Sequence, residues 1–202
     1  MERAVAHTLC RGLSRTEGPV LRGSIGMNAQ IRDFLDCDYD ALAEIWSAAV
    51  PLWPQTAREL RYRDDSRGEG YAARKWVYAL QGDALGVASY AQQPWSFHPD
   101  RYEVSVLVRP ERERSGVGRA LWAHLNQELA RLHAQVITSW VPETSERGAA
   151  FAVANGFVEV SRERSCRLDL AEFDASPYAG AEERLRQAGI VLKGLDLSLI
   201  HI

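Results

Sequence analysis

Strand-like and helix-like segments alternate along the 202 residues in a way that predicts an α/β (α+β) protein. Two patterns carry that reading. Val104, Val106 and Val108 place β-branched residues at period two, beside Leu107, as a buried strand does. Val117, Leu121, Leu125, Leu129 and Leu132 then fall at helical spacing. From end to end the order is a strand, two helices, three strands, a helix, a strand, a helix and two strands.

Residues 1 to 26 hold Arg3, Arg11, Arg15 and Arg22 with few apolar clusters and no continuous apolar segment such as a secretory signal needs. They are expected to be a disordered extension upstream of a natural start at Met27. Ala29 to Phe34 reads as a short strand. Leu42, Ile45, Trp46 and Ala49 give a helix with one buried face, with Asp38 as its expected N-cap and Asp40 in its first turn. Val50-Pro51-Leu52-Trp53-Pro54 breaks it, and Gln55 to Arg63 forms a second, short helix before the polar turn 64 to 70.

Lys75 to Gln81 and Ala84 to Gln92 are two strands joined as a hairpin at Gly82-Asp83. The loop Pro94 to Asp100 leads into the valine strand, and its His98 fits a structural or solvated role better than that of a base. After the leucine helix, Ala134 to Val141 is another strand. Glu146 to Asn155 is a helix that Asn155-Gly156 stops, and Phe157 to Val160 pairs with Cys166 to Leu170 as a closing hairpin.

Composition narrows the function. With 46% apolar and 25% charged residues, the chain is an ordinary globular protein with one full core. A net charge of -3 and the absence of a basic block recommend neither a nucleic acid nor a membrane surface as partner. Cys10, Cys37 and Cys166 are odd in number and far apart, which fits reduced thiols in a cytoplasm better than a disulfide frame or a metal site.

The most informative stretch is Val104 to Leu121. Pro110 ends its strand, and Gly116 and Gly118 allow a tight turn where the helix begins. The first-turn amides of a helix lack intrahelical partners, and the helix dipole adds positive charge, so this turn suits an anion. Each amide bond to a charged phosphate is worth roughly 1.5–3 kcal/mol. Arg112, Arg114 and Arg119 add attraction nearby. On the two glycines alone, a tight strand-to-helix connection without ligand is the simpler reading. A dinucleotide fingerprint would need a third glycine where Leu121 stands, and no Gly-Lys-Ser/Thr of a P-loop is present.

Val108-Arg109-Pro110 followed by Glu113-Arg114-Ser115-Gly116-Val117-Gly118 resembles the acyl-CoA pyrophosphate loop of the GNAT superfamily of N-acyltransferases. That loop has V-x-P, then Arg/Gln-x-x-Gly-x-Gly/Ala; Glu113 departs from it. Ser145 to Phe157 is similar to the family's N-x-x-A-x-x-L/F-Y-x-x-x-G-F. There Ser145 replaces Asn, and Ala152 replaces the Tyr that often protonates the leaving thiolate.

The resemblance implies a mixed, mostly antiparallel sheet of six to seven strands with about four helices, splayed between strands 4 and 5. It implies acetyl-CoA as co-substrate, no metal, and transfer of an acetyl group to a primary amine of a small molecule or peptide. The pantetheine arm would follow the backbone of Val106, Leu107 and Val108. The diphosphate would sit on the amides of Glu113, Arg114, Ser115, Gly116, Val117, Gly118 and Arg119, with the Glu113 carboxylate turned away, and Ser145 would touch the pantetheine. Glu103, on the strand face opposite Val104, Val106 and Val108, is the candidate base, with a solvated or salt-bridged strand carboxylate as the simpler reading. Trp53, Tyr71 and Trp95 border the acceptor side, although core packing explains six tryptophans more simply.

A non-catalytic acyl-CoA-binding or structural domain supporting a second catalytic domain is the alternative that Glu113 and Ala152 favour. The acetyltransferase domain is expected over 27–170. Residues 171–202 are similar to the connector of tandem GNAT proteins, leading toward a second domain. The terminal L-S-L-I-H-I resembles translated adapter read-through.

Overall fold

A computed structural model describes residues 3–11, 29–165 and 168–192. The chain forms two compact units, Met1–Ser165 and Cys166–Ile202. The strands of the first unit are β1 (Arg3–Arg11), β2 (Ala29–Asp33), β3 (Ala73–Leu80), β4 (Asp83–Ala91), β5 (Arg101–Val108), β6 (Val136–Pro142) and β7 (Val158–Ser165). They make one seven-stranded sheet in the order β2-β3-β4-β5-β6-β1-β7, in which only β5 and β6 run parallel. Four helices accompany it: α1 (Tyr39–Ala49), α2 (Ala57–Asp65), α3 (Val117–Arg131) and α4 (Glu146–Ala154). The mixed sheet expected from the sequence is therefore present.

Apolar residues on both faces of the central strands explain their nearly unbroken hydrophobic runs. On one face Trp76, Tyr90, Tyr102 and Val104 pack with Val117, Leu121, Leu125 and Leu129 of α3. On the other, Val77, Ala79 and Val87 pack with Leu42 and Ile45 of α1 and Leu60 of α2. The three α3 leucines are wholly enclosed, each contributing roughly 1.5–3 kcal/mol of burial. Gly86 lets α3 approach so closely, because a Cβ there would stand 2.8 Å from the Leu107 carbonyl oxygen and 3.0 Å from a Leu121 methyl.

Local signals fix the ends of most elements. Thr56 and Glu59 close a reciprocal capping box on α2, the Thr56 amide donating to the Glu59 carboxylate at 2.7 Å and the Glu59 amide to the Thr56 hydroxyl at 3.2 Å. The β3–β4 turn sits at Gln81-Gly82, with φ of +53° and +95°, rather than at Gly82-Asp83. Two successive residues of positive φ match the twist of the flanking strands.

Other expectations fail for physical reasons. Asp38 does not cap α1 with its side chain; its carboxylate takes both forks of Arg32 at 2.7 Å and the Leu35 amide at 2.7 Å. A buried carboxylate is better satisfied by a guanidinium than by a lone amide. Arg3–Arg11, expected to be disordered, is a strand paired on both sides, with β6 and with β7. Residues 12 to 28 lie outside the described residues, as do the terminal L-S-L-I-H-I and Cys166. β7 runs on to Ser165, and Leu168 to Leu170 is not a strand. The expected closing hairpin is thus replaced by pairing of β7 with β1, which supplies the ladder bonds the hairpin would have made.

The second unit contains a one-turn 3-10 helix, Ser176–Tyr178, and α5 (Ala181–Gln187), entered through Gly180 at φ +70°. Within it the Phe173 and Tyr178 rings lie 5.9 Å apart.

Candidate functional site

The sheet opens beside β5. The parallel pairing with β6 covers only Arg101, Tyr102 and Glu103, opposite Val136, Ile137 and Thr138, whereas β4 pairs with β5 as far as Val108. From Val104 to Val108 the edge facing β6 has no strand partner among the described residues. Its alternate N–H and C=O groups therefore have no ladder partner on that side and could pair with an extended chain. Val106 and Val108 pack toward the α3 core and Leu107 toward α1, so this edge is rigidly held. Arg109 pins the strand's end, its Nε donating to the Ala84 carbonyl at 2.8 Å and its terminal nitrogen to Glu44 at 2.8 Å.

Pro110–Arg112 then makes one 3-10 turn, and the Glu113 amide closes on the Pro110 carbonyl at 3.3 Å. Glu113 is therefore not a free donor, which shortens the expected row by one. Arg114 and Gly116 both take left-handed backbone, at φ +61° and +92°. No carbonyl among the described residues accepts the amides of Arg114, Ser115, Gly116, Val117, Gly118 or Arg119, and the first bond of α3 runs from Ala120 N–H to Gly116. Successive unpaired amides at a left-handed turn make an anion nest. Arg112, Arg114 and Arg119 are exposed around it. The Ser115 hydroxyl donates inward to the Arg112 carbonyl at 2.5 Å, and the Glu113 carboxylate takes Arg147 of α4 at 2.5 Å.

Glu103 is the last paired residue before the opening. Its two carboxylate oxygens accept from Gln93 Nε2 at 2.8 Å and Trp140 Nε1 at 3.3 Å. Both donors are neutral, so the carboxylate is oriented without being neutralised by an ion pair. Ser145 caps α4 by accepting the Gly148 amide at 3.2 Å, which leaves its hydroxyl proton to donate. Ala152 is enclosed in the α3 core at 8% exposure and supplies no acid. His98 is exposed, its Nδ1 accepting the Asp100 amide at 3.2 Å. Trp53 and Trp95 are exposed, contrary to a core role, while Trp76 is buried and Tyr71 meets Phe97 edge-on.

Sequence reading missed the polar layer under α2. Asp64 accepts from Tyr39 Oη at 2.6 Å, from Lys75 and, at 3.4 Å, from Arg67. Burial opposes the Asp64 charge, yet bonds from Lys75 and Tyr39 hold its carboxyl below the usual range. Burial, followed by the bond to Asp64, pushes the Tyr39 phenol up. Burial draws Lys75 down against Asp64, with Arg67 and Arg63 adding to the fall. A signal for this layer existed: Arg63 and Asp64 lie three and four residues beyond buried Leu60 on the α2 face, and Arg67 follows just past the helix end. Among the described residues no group of His, Cys, Asp and Glu is placed to hold a metal ion, and no helix is long and apolar enough to cross a membrane.

A sheet opened beside its fourth antiparallel-side strand, with an amide nest at the next helix, is the architecture of an acetyltransferase of the GNAT type. A model of the acetyltransferase (GNAT) family matches residues 39–157, more than half of the chain, and the protein belongs to that family. No curated protein matches the chain. Among solved structures it resembles a tandem GNAT protein from the clavulanic acid biosynthesis pathway, with TM-score 0.62 and 18% identity over 81% of this chain and 52% of that one. It also resembles a GCN5-related N-acetyltransferase from Sphaerobacter thermophilus, with TM-score 0.57 and 17% identity over 85% and 55%. The ribosomal-protein-S18-alanine N-acetyltransferase from Escherichia coli aligns with TM-score 0.52 and 18% identity over 72% and 99%. The chain spans about half the length of the first two. At these identities the likeness is one of fold.

Proposed function

We propose that the first unit is an acetyl-CoA-dependent N-acetyltransferase acting on a primary amine of a small molecule or peptide. The unpaired amides from Arg114 to Arg119, at the end of a strand whose edge is open, carry this reading. Bound acetyl-CoA supplies an activated thioester. The amides of Arg114, Ser115, Gly116, Val117, Gly118 and Arg119 hold its diphosphate, and Val106, Leu107 and Val108 align the pantetheine as an added strand, with the Ser145 hydroxyl donating to it. A main-chain N–H of that strand polarises the thioester carbonyl.

Glu103 takes one proton from the acceptor's ammonium group, which frees the nitrogen lone pair. The new bond forms between that nitrogen and the acetyl carbon, and the C–S bond breaks with its electron pair on sulfur. The second nitrogen proton passes to solvent. Ala152 has no proton to give the thiolate, so water protonates it. A specific observation favours a second reading, a non-catalytic acyl-CoA-binding domain: Ala152 lies in the core where the family has its Tyr. The connector role of residues 171–202 toward a second domain belongs to the proposal, supported by the tandem neighbour.

Calorimetric titration of the protein with acetyl-CoA, followed by thiol release against a panel of amines, decides between these. Saturable binding with amine-dependent thiol release supports the enzyme. Binding without release supports the second reading, and no binding at millimolar acetyl-CoA ends both.

A further inference from the structure

Between the sheet and the two N-terminal helices, Trp46, Arg63, Lys75, Ser89, Ser105 and Leu107 line a cavity of about 20 Å³. Ser105 and Leu107 belong to the strand assigned to the pantetheine arm, and Glu103 lies on the same strand face. Ser89 and Ser105 are direct cross-strand partners, so their side chains stand together at the cavity wall. Arg63 lies over the Trp46 ring, with its guanidinium carbon 4.8 Å from the ring centroid. This cation–π contact holds the guanidinium over the ring and uses none of its N–H donors.

The remaining partners are absent. Among the described residues, Arg63, Ser89 and Ser105 make no side-chain hydrogen bond or ion pair. Lys75 and Arg67 both spend their charge on Asp64, while Arg63 feels the charges of Asp64 and Glu103 without an ion pair to either. Arg63 is solvent-accessible, yet burial pulls its guanidinium down from the ordinary value. A stacked guanidinium with a free planar fork, beside two free hydroxyls, is complementary to a carboxylate. The cavity has room for one such small polar group rather than for a whole acceptor.

We propose that the acceptor amine also carries a carboxylate, as an amino acid or a short peptide with a free C-terminus does, and that Arg63, Ser89 and Ser105 bind it while Glu103 receives the amine. The inference rests on the reading of the β5 opening as the transfer site. It accounts for opposite charges, Arg63 and Glu103, on one side of one strand.

The test is binding of the free amino acids and of their carboxamides to the full chain in the presence of acetyl-CoA, followed by calorimetry, with thiol release recorded in parallel. One or more acids are expected to bind saturably, at least about tenfold more tightly than the matching amides. Arg63→Met keeps the stem over Trp46 and is expected to erase that difference, whereas Arg63→Lys restores charge without the fork and recovers part of it. Acetyl-CoA titration of each variant reports that the domain is intact. Equal affinity of acids and amides, no acid binding up to tens of millimolar, or an acid preference that survives Arg63→Met would each overturn the proposal. The wild-type comparison is decisive even if a variant fails to fold. An Arg63-dependent acid preference without thiol release sinks the acetyltransferase reading and leaves only a carboxylate-binding site at Arg63; thiol release that ignores the carboxylate keeps that reading and overturns this proposal.

Discussion

Gly116 and Gly118 stand two residues apart in one loop and are expected to respond in opposite directions to the same methyl group. Gly116 holds φ +92° and an added Cβ would meet nothing within 4 Å. Its requirement is conformational, and left-handed backbone costs alanine about 1–2 kcal/mol. Gly118 is helical, and a Cβ there would lie at ordinary contact distance, 3.5 Å from a Val108 methyl and 3.8 Å from the Phe151 ring. Alanine gains up to about 1 kcal/mol over glycine within a helix. Urea unfolding should therefore place Gly116→Ala about 1–2 kcal/mol below the wild type and Gly118→Ala level with it or slightly above. If Gly116→Ala relaxes by turning its peptide, one or two amides leave the nest, and acetyl-CoA affinity falls by about tenfold for each charge-assisted bond lost. Gly118→Ala should keep near-normal affinity. Equal destabilisation of the two variants, or full acetyl-CoA affinity in a destabilised Gly116→Ala, would refute the reasoning.

Three further outcomes can be measured. Glu103→Gln should lower the maximal rate of thiol release by about 10²- to 10⁴-fold with acetyl-CoA affinity unchanged, since the carboxylate lies at the strand opening and not on the loop. Asp38 is held below the ordinary carboxylate range chiefly by the Arg32 side chain. Because its folded value is depressed, its contribution is complete above the unfolded pKa of about 3.9 and is lost as pH falls through the folded value. Asp38→Asn should cost about 1.5–3 kcal/mol at pH 7, the scale of hydrogen bonds to a charged group in a part-buried pair, and flatten the acid limb of the stability curve. Gly86→Ala should cost about 1–3 kcal/mol or more by thermal unfolding, because the 2.8 Å contact is with a backbone oxygen that cannot rotate away.

What was legible in the sequence was what is local. The V-x-P strand end, both glycines and the leucine stripe of α3 lie within one short stretch, so spacing alone set out the turn and its free amides. The surroundings of Glu103 were not legible, because Gln93 comes from a loop and Trp140 from β6, and no spacing rule links them. Arg63 reaches the same strand face from α2, a third segment. Asp38 misled for a related reason: an Asp ahead of a helix signals a cap, but Arg32, six residues earlier, offers a buried carboxylate a stronger partner. The strand at Arg3–Arg11 depends wholly on pairing with β6 and β7, more than a hundred residues away, and its short apolar run has no punctuation of its own.

The Glu113 carboxylate within the phosphate loop is the feature most at odds with an anion site, and its partner decides how much it matters. Arg147 occupies it at 2.5 Å, and both groups are partly open to solvent, so the pair itself adds little stability. Its effect is on the field at the loop. With Glu113 paired, Arg112, Arg114 and Arg119 set the local sign; with Arg147 removed, one negative charge is released toward the diphosphate. At a separation of about 8 Å in water a single charge pair is worth about 0.5 kcal/mol, and two phosphate charges double it. Arg147→Ala should accordingly weaken acetyl-CoA binding by only about two- to fivefold at low salt. The difference should vanish near 0.5 M salt, where screening acts within about 4 Å. A loss that persists at high salt would mean that Arg147 contacts the cofactor directly, and the neutralising role assigned to it would be wrong.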